Sequence, residues 1–346
     1  MVKKKKSKKK IAGVVAGVVL ILIIVGIGAG FYYFKKSVVP ETVILEIPTG
    51  ADYEALMDSL NSGSKINDMW LFDFFAKARE LDKAVRPGHY ELKKGMTANE
   101  ITMLLRSGRQ TPVNLIFNNI RTLEQLAGRF GEQLEADSVE FASLLLSDSV
   151  ALHYGFTMEN FISMFIPNTY QVYATTSPSG LLDRMKREYD KFWEGARDEK
   201  IAHTGLKDRT EVSSLASIVM EESSKEDEFR AIAGVYINRI KKNIPLQADP
   251  TIIFAVGNPE LRRVRHRHLE IDSPYNTYKN AGVPPGPIRM PSIAAIDSVL
   301  DYQQHEYLFF CAKPDFSGYH AFAKTLSEHN KNARAYIDAL EDAGIR

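Results

Sequence analysis

Two adjacent carboxylates close an apolar run in the stretch SLASIVMEESSKEDEF (Ser214–Phe229), which carries five acidic residues in all. The apolar spacing predicts a helix. At about 100° per residue, Glu222 projects between Ile218 and Val219 inside the apolar stripe, and Glu221 points away from it. Ser223 and Ser224, with Asp227 following, predict that this helix stops and that another is capped just beyond. A carboxyl group at a helix end, over apolar neighbours, has the surroundings of a general acid. A free Glu titrates near 4.3 or so. An apolar wall disfavours the charged form, and the negative end of the helix dipole acts in the same direction, toward roughly 6–7. A glycosidic oxygen is a poor leaving group until protonated, so such a Glu suits glycoside cleavage. The same placement also fits a buried structural Glu paired with an arginine. Geometry alone leaves both readings open.

The elements that must position this group follow from periodicity. FRAIAGVYINRIKK (Phe229–Lys242) has apolar residues at 229, 232, 233, 236, 237 and 240, the spacing of a packed helix. LQADPTIIFAVG (Leu246–Gly257) reads as a strand or a short helix. SPYNTYKNAGVPPGPIRMP (Ser273–Pro291) is dominated by Pro, Gly, Asn and Ser and reads as a fixed loop. A helix, the strand HEYLFFCA and a last helix from Thr325 complete the chain. Upstream, Thr122–Gly205 reads as mostly helical, interrupted by the loop-rich FIPNTYQVYATTSPSG. Earlier still, VILEIPTG and GHYELKKG read as strands and ADYEALMDSLNSG as a helix. NDMWLFDFFAKAREL reads as a helix with a dense aromatic face. Thr97 and Glu100 form a capping box before another helix, and TPVNLIF is a further strand. These short elements make a small α+β module over residues 40–112, leaving 113–346 as a larger domain.

The formal charge of +1 hides an asymmetry. Residues 1–36 hold nine lysines and no acid, so the remainder carries −8. That sign argues against nucleic acid as a partner of the folded part. A basic tail (residues 1–10) precedes an uncharged segment, Ile11–Phe34, long enough to cross a bilayer as a helix. Seven lysines before it and two after predict an N-terminus in the cytoplasm and a chain facing outward. A cleaved signal peptide would have a shorter apolar run and a small-residue cleavage site, whereas FYYFKK is bulky and basic. Cys311 is the single cysteine, so neither an intrachain disulfide nor a thiolate metal cluster is available.

The motifs LASIVMEES, VYINRI, LQADPT, SPYNTY, GVPPGPI and AKTLSEHN, in this order within Leu215–Asn330, resemble those of the endolytic murein transglycosylase, or YceG-like, family. The resemblance extends over about residues 40–346. It implies an α+β protein with a single N-terminal transmembrane helix (11–34), a small LysM-like module (40–112) and a mixed α/β catalytic domain (113–346). It implies a lytic transglycosylase that cleaves MurNAc–GlcNAc bonds within peptidoglycan strands. The MurNAc 6-hydroxyl attacks in place of water and leaves a 1,6-anhydro end. The family's catalytic Glu ends an ASIV-x-x-E motif, which places it at Glu222, the position that the helical projection also selects. No cofactor and no metal are implied. The implied partners are peptidoglycan glycan strands, the inner (cytoplasmic) membrane and peptidoglycan synthases. The chain departs from the family's PDTY with IPNTY, so Asn168 stands where an acid is usual.

Residue type supplies the other candidates. Ser273, Tyr275, Asn276 and Thr277 of SPYNTY, with Gln247 and Asp249 of LQADPT, are candidate sugar contacts. Asn276 and Asp249 would equally satisfy turn backbone. Glu226 is a candidate second carboxylate if the helix continues. His329 and Asn330 are candidates either for orienting Glu222 or for opening a helix. Arg262, Arg263, Arg265 and Arg267 could meet peptide carboxylates or form a solvated face. A penicillin-binding type of acylating enzyme is excluded. SGSK (Ser62–Lys65) lies in a Gly/Ser turn, Leu326 stands where K-T-G needs Gly, and S-D-N is absent. His266 and His268 lack the H-E-x-x-H context of a zinc hydrolase. The remaining alternative is a non-catalytic peptidoglycan-binding scaffold of the wall-synthesis machinery.

Overall fold

A computed structural model describes residues 2–258, 260–261 and 263–344, with residues 2–11 described through their backbone alone. Contacts divide the chain into two units, Met1–Val113 with Gln171–Thr175, and Asn114–Tyr170 with Thr176–Arg346.

The first unit opens with α1 (Val2–Lys35), whose Ala12–Lys35 portion contains an 18-residue stretch of mean hydropathy 2.9 and is long and apolar enough to cross a membrane. Strand β1 (Val43–Ile47), helices α2 (Tyr53–Asn61) and α3 (Met69–Ala78), strand β2 (Gly88–Leu92) and helix α4 (Ala98–Ser107) follow. β1 and β2 pair antiparallel, with Leu45 opposite Tyr90. The period-two alternation of both strands turns Leu45, Ile47, Tyr90 and Leu92 into one core with Leu56, Leu60, Phe72 and Ile101. The capping box expected at Thr97 and Glu100 forms, each side chain accepting from the other residue's backbone N–H.

The second unit is mostly helical. After β3 (Val113–Phe117) come α5 (Leu123–Gly131), α6 (Ser138–Leu145) and α7 (Asp148–His153). Strand β4 (Asn168–Val172) pairs with β3, so the stretch read as loop holds a strand. Helices α8 (Pro178–Trp193), α9 (Ala196–Thr204), α10 (Arg209–Glu222), α11 (Phe229–Lys241), α12 (Asp249–Val256), α13 (His266–Leu269) and α14 (Ile293–Leu300) lead to the antiparallel ribbon β5 (Phe309–Ala312) and β6 (His320–Ala323), then to α15 (Leu326–Asp342). LQADPT thus leads into a helix. All described strands fall into three separate two-stranded sheets. The catalytic region expected as mixed α/β is therefore helix-dominated α+β, because none of its strands finds more than one partner.

Helix α10 is the axis of this unit, packed against α9, α11, α12 and α14. Val212 to Val219 of this helix are buried without a break. Its serines face protein: Ser213 Oγ–H donates to the Arg209 carbonyl at 2.9 Å, whereas Ser214 Oγ is buried without a hydrogen-bond partner among the described residues. Ser217 Oγ–H donates to the Ser214 carbonyl and accepts the Ile288 N–H, at 2.7 and 3.0 Å, which ties GVPPGPI to α10. Gly286 of that motif has no room for a side chain, since a Cβ there would collide with the Glu159 carbonyl. Gly286→Ala is expected to destabilise the protein by about 1–3 kcal/mol through overpacking, read as a lower denaturant midpoint. An unchanged midpoint would show that this approach is not needed.

Candidate active site

Helix α10 ends at Glu222 because Ser223 turns to extended backbone (φ −141°, ψ 142°). Neither Ser223 nor Ser224 caps α11, contrary to the reading from sequence; a short 3₁₀ turn, Glu226–Glu228, leads into that helix. Ser223 Oγ instead donates to Glu228 Oε2 at 3.3 Å and accepts the Lys225 N–H. Buried Glu228 also accepts the His320 N–H at 2.8 Å and holds its ring Nδ1 at 2.9 Å. The segment following Glu222 is thereby fastened to the β5–β6 ribbon.

Glu222 opens into a cavity of about 420 Å³, with Tyr236 and Arg239 of α11, Gln247, Asp249, Tyr278 and His329 around it. Leu308 with Phe309 and Phe310 of β5 form its apolar wall. Glu222 is half-buried, and Tyr236 Oη–H donates to Glu222 Oε1 at 2.6 Å. Burial pushes the Glu222 acid up to about 7. The Tyr236 hydrogen bond opposes that rise, and the nearby Asp249 and Glu221 carboxylates reinforce it. Glu221 lies on another face of the helix, paired with buried Arg289 and with Arg121 Nη2 at 3.0 Å. The arginine-paired carboxylate of the alternative reading is therefore Glu221, and Glu222 is the one left with a tyrosine.

Asp249 and Gln247 both line the cavity. Asp249 accepts the Tyr278 hydroxyl at 2.5 Å. Gln247 is held at φ 51°, its N–H donating to the Thr277 carbonyl at 3.0 Å. The rest of SPYNTY serves the fold. Asn276 is fully buried and donates to the carbonyls of Leu269 and Ile271. Thr277 Oγ1, buried, accepts the Ala248 N–H and bonds Thr251. Tyr275 is buried against Phe254 and directs its hydroxyl to the Glu159 carbonyl. Ser273 Oγ accepts the Tyr275 N–H within the turn. None of these four lines the cavity, because their hydrogen-bonding groups are spent on backbone. Glu226 is exposed on the 3₁₀ turn, off the cavity, since the helix does not continue; the second carboxylate at the site is Asp249.

His329 lines the cavity from the first turn of α15, stacked on Phe309 at 5.4 Å between ring centres. Burial, with the Arg239 charge, holds its imidazole below the usual range. Its Nδ1 is buried without a hydrogen-bond partner, and Tyr236, not His329, orients Glu222. Asn330 is exposed beyond the cavity, and the helix is opened by Thr325 and Glu328. Asn168 is exposed at the start of β4, its Oδ1 accepting the Thr169 N–H. Arg263, Arg265 and Arg267 are exposed, and Arg262 lies outside the described residues. Sequence reasoning missed Tyr236, Arg239 and Tyr278. All three stand in motifs already singled out, and Tyr236 and Arg239 sit three apart on one face of α11, but that spacing alone does not point to Glu222.

The sequence and the fold are similar to those of known proteins. The model of the YceG-like family fits residues 45–335. The chain belongs to the YceG-like family. It is 29% identical over 344 residues to a Bacillus subtilis (strain 168) protein named endolytic murein transglycosylase, covering 91% of this chain and 92% of that one. A relative of the same name from Streptococcus pneumoniae (strain ATCC BAA-255 / R6) is 27% identical over 90% of this chain, which spans 62% of that protein's length. A crystal structure of a YceG-like protein from Listeria monocytogenes superposes with a TM-score of 0.53 at 26% identity, covering 84% of this chain and 98% of that one.

The raised Glu222 acid makes stability depend on pH. The folded state holds this proton up to about pH 7 and the unfolded state releases it near 4.5. This contribution is complete below about pH 4.5 and is lost as pH rises through 7. Glu222→Gln, which has no proton to lose and still accepts from Tyr236, is expected to stabilise the protein by up to about 3 kcal/mol above pH 7. No gain is expected below pH 4.5 or so. Denaturant titrations at pH 4.5 and 8 measure the difference, and a gain equal at both would refute the assigned proton. In Tyr236→Phe, loss of the hydrogen bond should move the Glu222 midpoint still higher in a ¹³C-carboxyl titration.

Proposed function

We propose that this YceG-like chain is a membrane-anchored endolytic peptidoglycan lytic transglycosylase in which Glu222 acts first as acid and then as base. The observation that carries the reading is a half-buried carboxyl group that faces a cavity, takes a tyrosine and no cation among the described residues as its partner, and is pushed by burial up to about 7. Protonated Glu222 donates its hydrogen to the oxygen between MurNAc and GlcNAc as the anomeric C–O bond breaks. The ionised Glu222 then takes the proton of the MurNAc 6-hydroxyl while that oxygen bonds to the anomeric carbon. Atoms balance without water, and the products are a free GlcNAc hydroxyl and a 1,6-anhydroMurNAc end. One carboxylate suffices because nucleophile and leaving group are reached in sequence. Asp249 and Gln247 hold sugar hydroxyls at the cavity rim.

The rest of the reading concerns place and organisation. Residues 11–34 span the inner membrane with the basic tail in the cytoplasm, and residues 113–346 form the extracytoplasmic catalytic domain. Residues 40–112 are a LysM-like glycan-binding module; the order strand, helix, helix, strand with antiparallel pairing supports that assignment. Peptidoglycan synthases are the partners, since cleavage within strands serves wall assembly or strand termination.

The test is digestion of purified glycan strands by the detergent-solubilised full chain, with mass spectrometry of the ends. Anhydro ends are expected, while ordinary reducing ends would make the chain a hydrolase. Glu222→Gln should lower cleavage by about 10²–10⁴-fold with glycan binding retained. Unchanged cleavage would remove Glu222 from the mechanism, and no cleavage by the wild type would favour the scaffold. Because the acid must enter protonated, kcat/KM should fall as pH rises above about 7.

A further inference from the structure

Helix α3 is apolar on two faces. Leu71, Phe72 and Ala76 are buried in the core of the first unit. Trp70 and Phe74, one turn apart on the other side, are 56% and 62% exposed. Isolated exposed apolar residues need no explanation, but these are continuous with the aromatic end of α1. The Trp70 ring meets Tyr33 edge-on at 5.3 Å, Phe34 meets Phe75 at 5.9 Å, and Phe75 meets Phe74 at 5.5 Å.

Little slack separates the two helices. Lys36 Nζ lies 2.8 Å from Asp68 Oδ2, on the residue that precedes α3. Ser37 bridges to Thr97, and the Val38 N–H donates to the Met96 carbonyl at 2.9 Å. Val38 is already fully buried. Three residues reach at most about 10 Å, so the folded core begins within that distance of the end of α1. A bilayer crossed by α1 therefore ends where the outer face of α3 begins.

We propose that α3 is an interfacial helix, with Trp70 and Phe74 seated in the outer-leaflet boundary between lipid headgroups and acyl chains. The partner is the lipid surface itself, and the proposal rests on the reading of α1 as a membrane span. An indole suits that depth, because its ring is apolar and its N–H can meet water or a headgroup. Phe74 adds an apolar anchor one turn away. Two contacts with the bilayer, α1 and α3, fix the tilt of the span against the first unit.

The chain has two tryptophans, and Trp193 is fully buried, so the difference in emission between wild type and Trp70→Phe reports Trp70. Both full chains would be reconstituted into phosphatidylcholine–phosphatidylglycerol vesicles, with and without lipids brominated near the headgroup. Blue-shifted Trp70 emission, quenched about twofold or more by the brominated lipid and little by acrylamide, is expected. Quenching by acrylamide alone would overturn the proposal. Protection from both quenchers would also overturn it, since protein, such as a second copy, would then cover the face. Alkaline carbonate extraction of the same vesicles separates the two readings. A chain that is extracted defeats the span and the proposal with it, whereas a chain that stays, with water-exposed Trp70, defeats only the interfacial helix.

Discussion

Glu221 and Glu222 are consecutive on α10, about 100° apart round the helix, and that angle gives them different electrostatic surroundings. Glu221 meets Arg289 and Arg121, so its charge is compensated where it lies. Glu222 meets a phenol and an apolar wall at the negative end of the helix. With no cation among the described residues to repay desolvation, the cheaper state of this partly buried carboxyl group is the protonated one. The two arginines matter to Glu222 by being engaged elsewhere. Had either reached it, the group would be an ordinary ion pair.

The second requirement is that this acid face an open cavity and not a sealed core. Helix α11 supplies both the hydrogen-bond partner and the frame. Tyr236 holds the carboxyl group, and one turn on Arg239 donates to the carbonyls of Leu308, Pro245 and Leu246. A buried guanidinium without a carboxylate is costly unless its N–H groups are satisfied, and here three carbonyls from two separate segments satisfy it. The result joins the start of β5, which is the apolar wall, to the turn that leads to Gln247 and Asp249. Thr277 secures the same turn from the other side through Gln247 and Ala248. SPYNTY is thus a brace for the rim, with only its last tyrosine, Tyr278, at the cavity.

These two requirements differ in how visible they are in sequence. The place of Glu222 inside the apolar stripe follows from local periodicity, which leaves its role open. Its stop at Ser223 is likewise local. Tyr236, Arg239 and Tyr278 act across elements, and nothing in the spacing of VYINRI says that its tyrosine, rather than a residue of AKTLSEHN, meets the acid. Polar residues in a Pro-stiffened loop can bond either a ligand or the loop's own backbone. Asn276 and Thr277 do the second, because a buried turn must first satisfy its carbonyls and amides. Glu226 was a candidate only on a continued helix, and the break removed it. In the first unit the helices and strands were legible from patterning, whereas the continuity of α3 with the end of α1 was not, since it depends on how Lys36–Val38 are stitched in.

The charge inventory of the cavity suits the proposed reaction. With Glu222 protonated, the Asp249 carboxylate and the Arg239 guanidinium leave the lining near neutrality, with His329 held toward its uncharged form. Proton donation converts Glu222 to an anion at the moment when positive charge develops at the anomeric carbon. The site therefore becomes more negative in step with the substrate becoming more positive, which stabilises the transition state more than the ground state. A permanently ionised Glu222 would supply the same charge earlier, and would have no proton to give. Burial, the lack of a paired cation among the described residues and the Tyr236 hydrogen bond together place the acid between these limits. The hydrogen bond opposes the rise caused by burial, and so keeps the resulting anion accessible as the base of the second step.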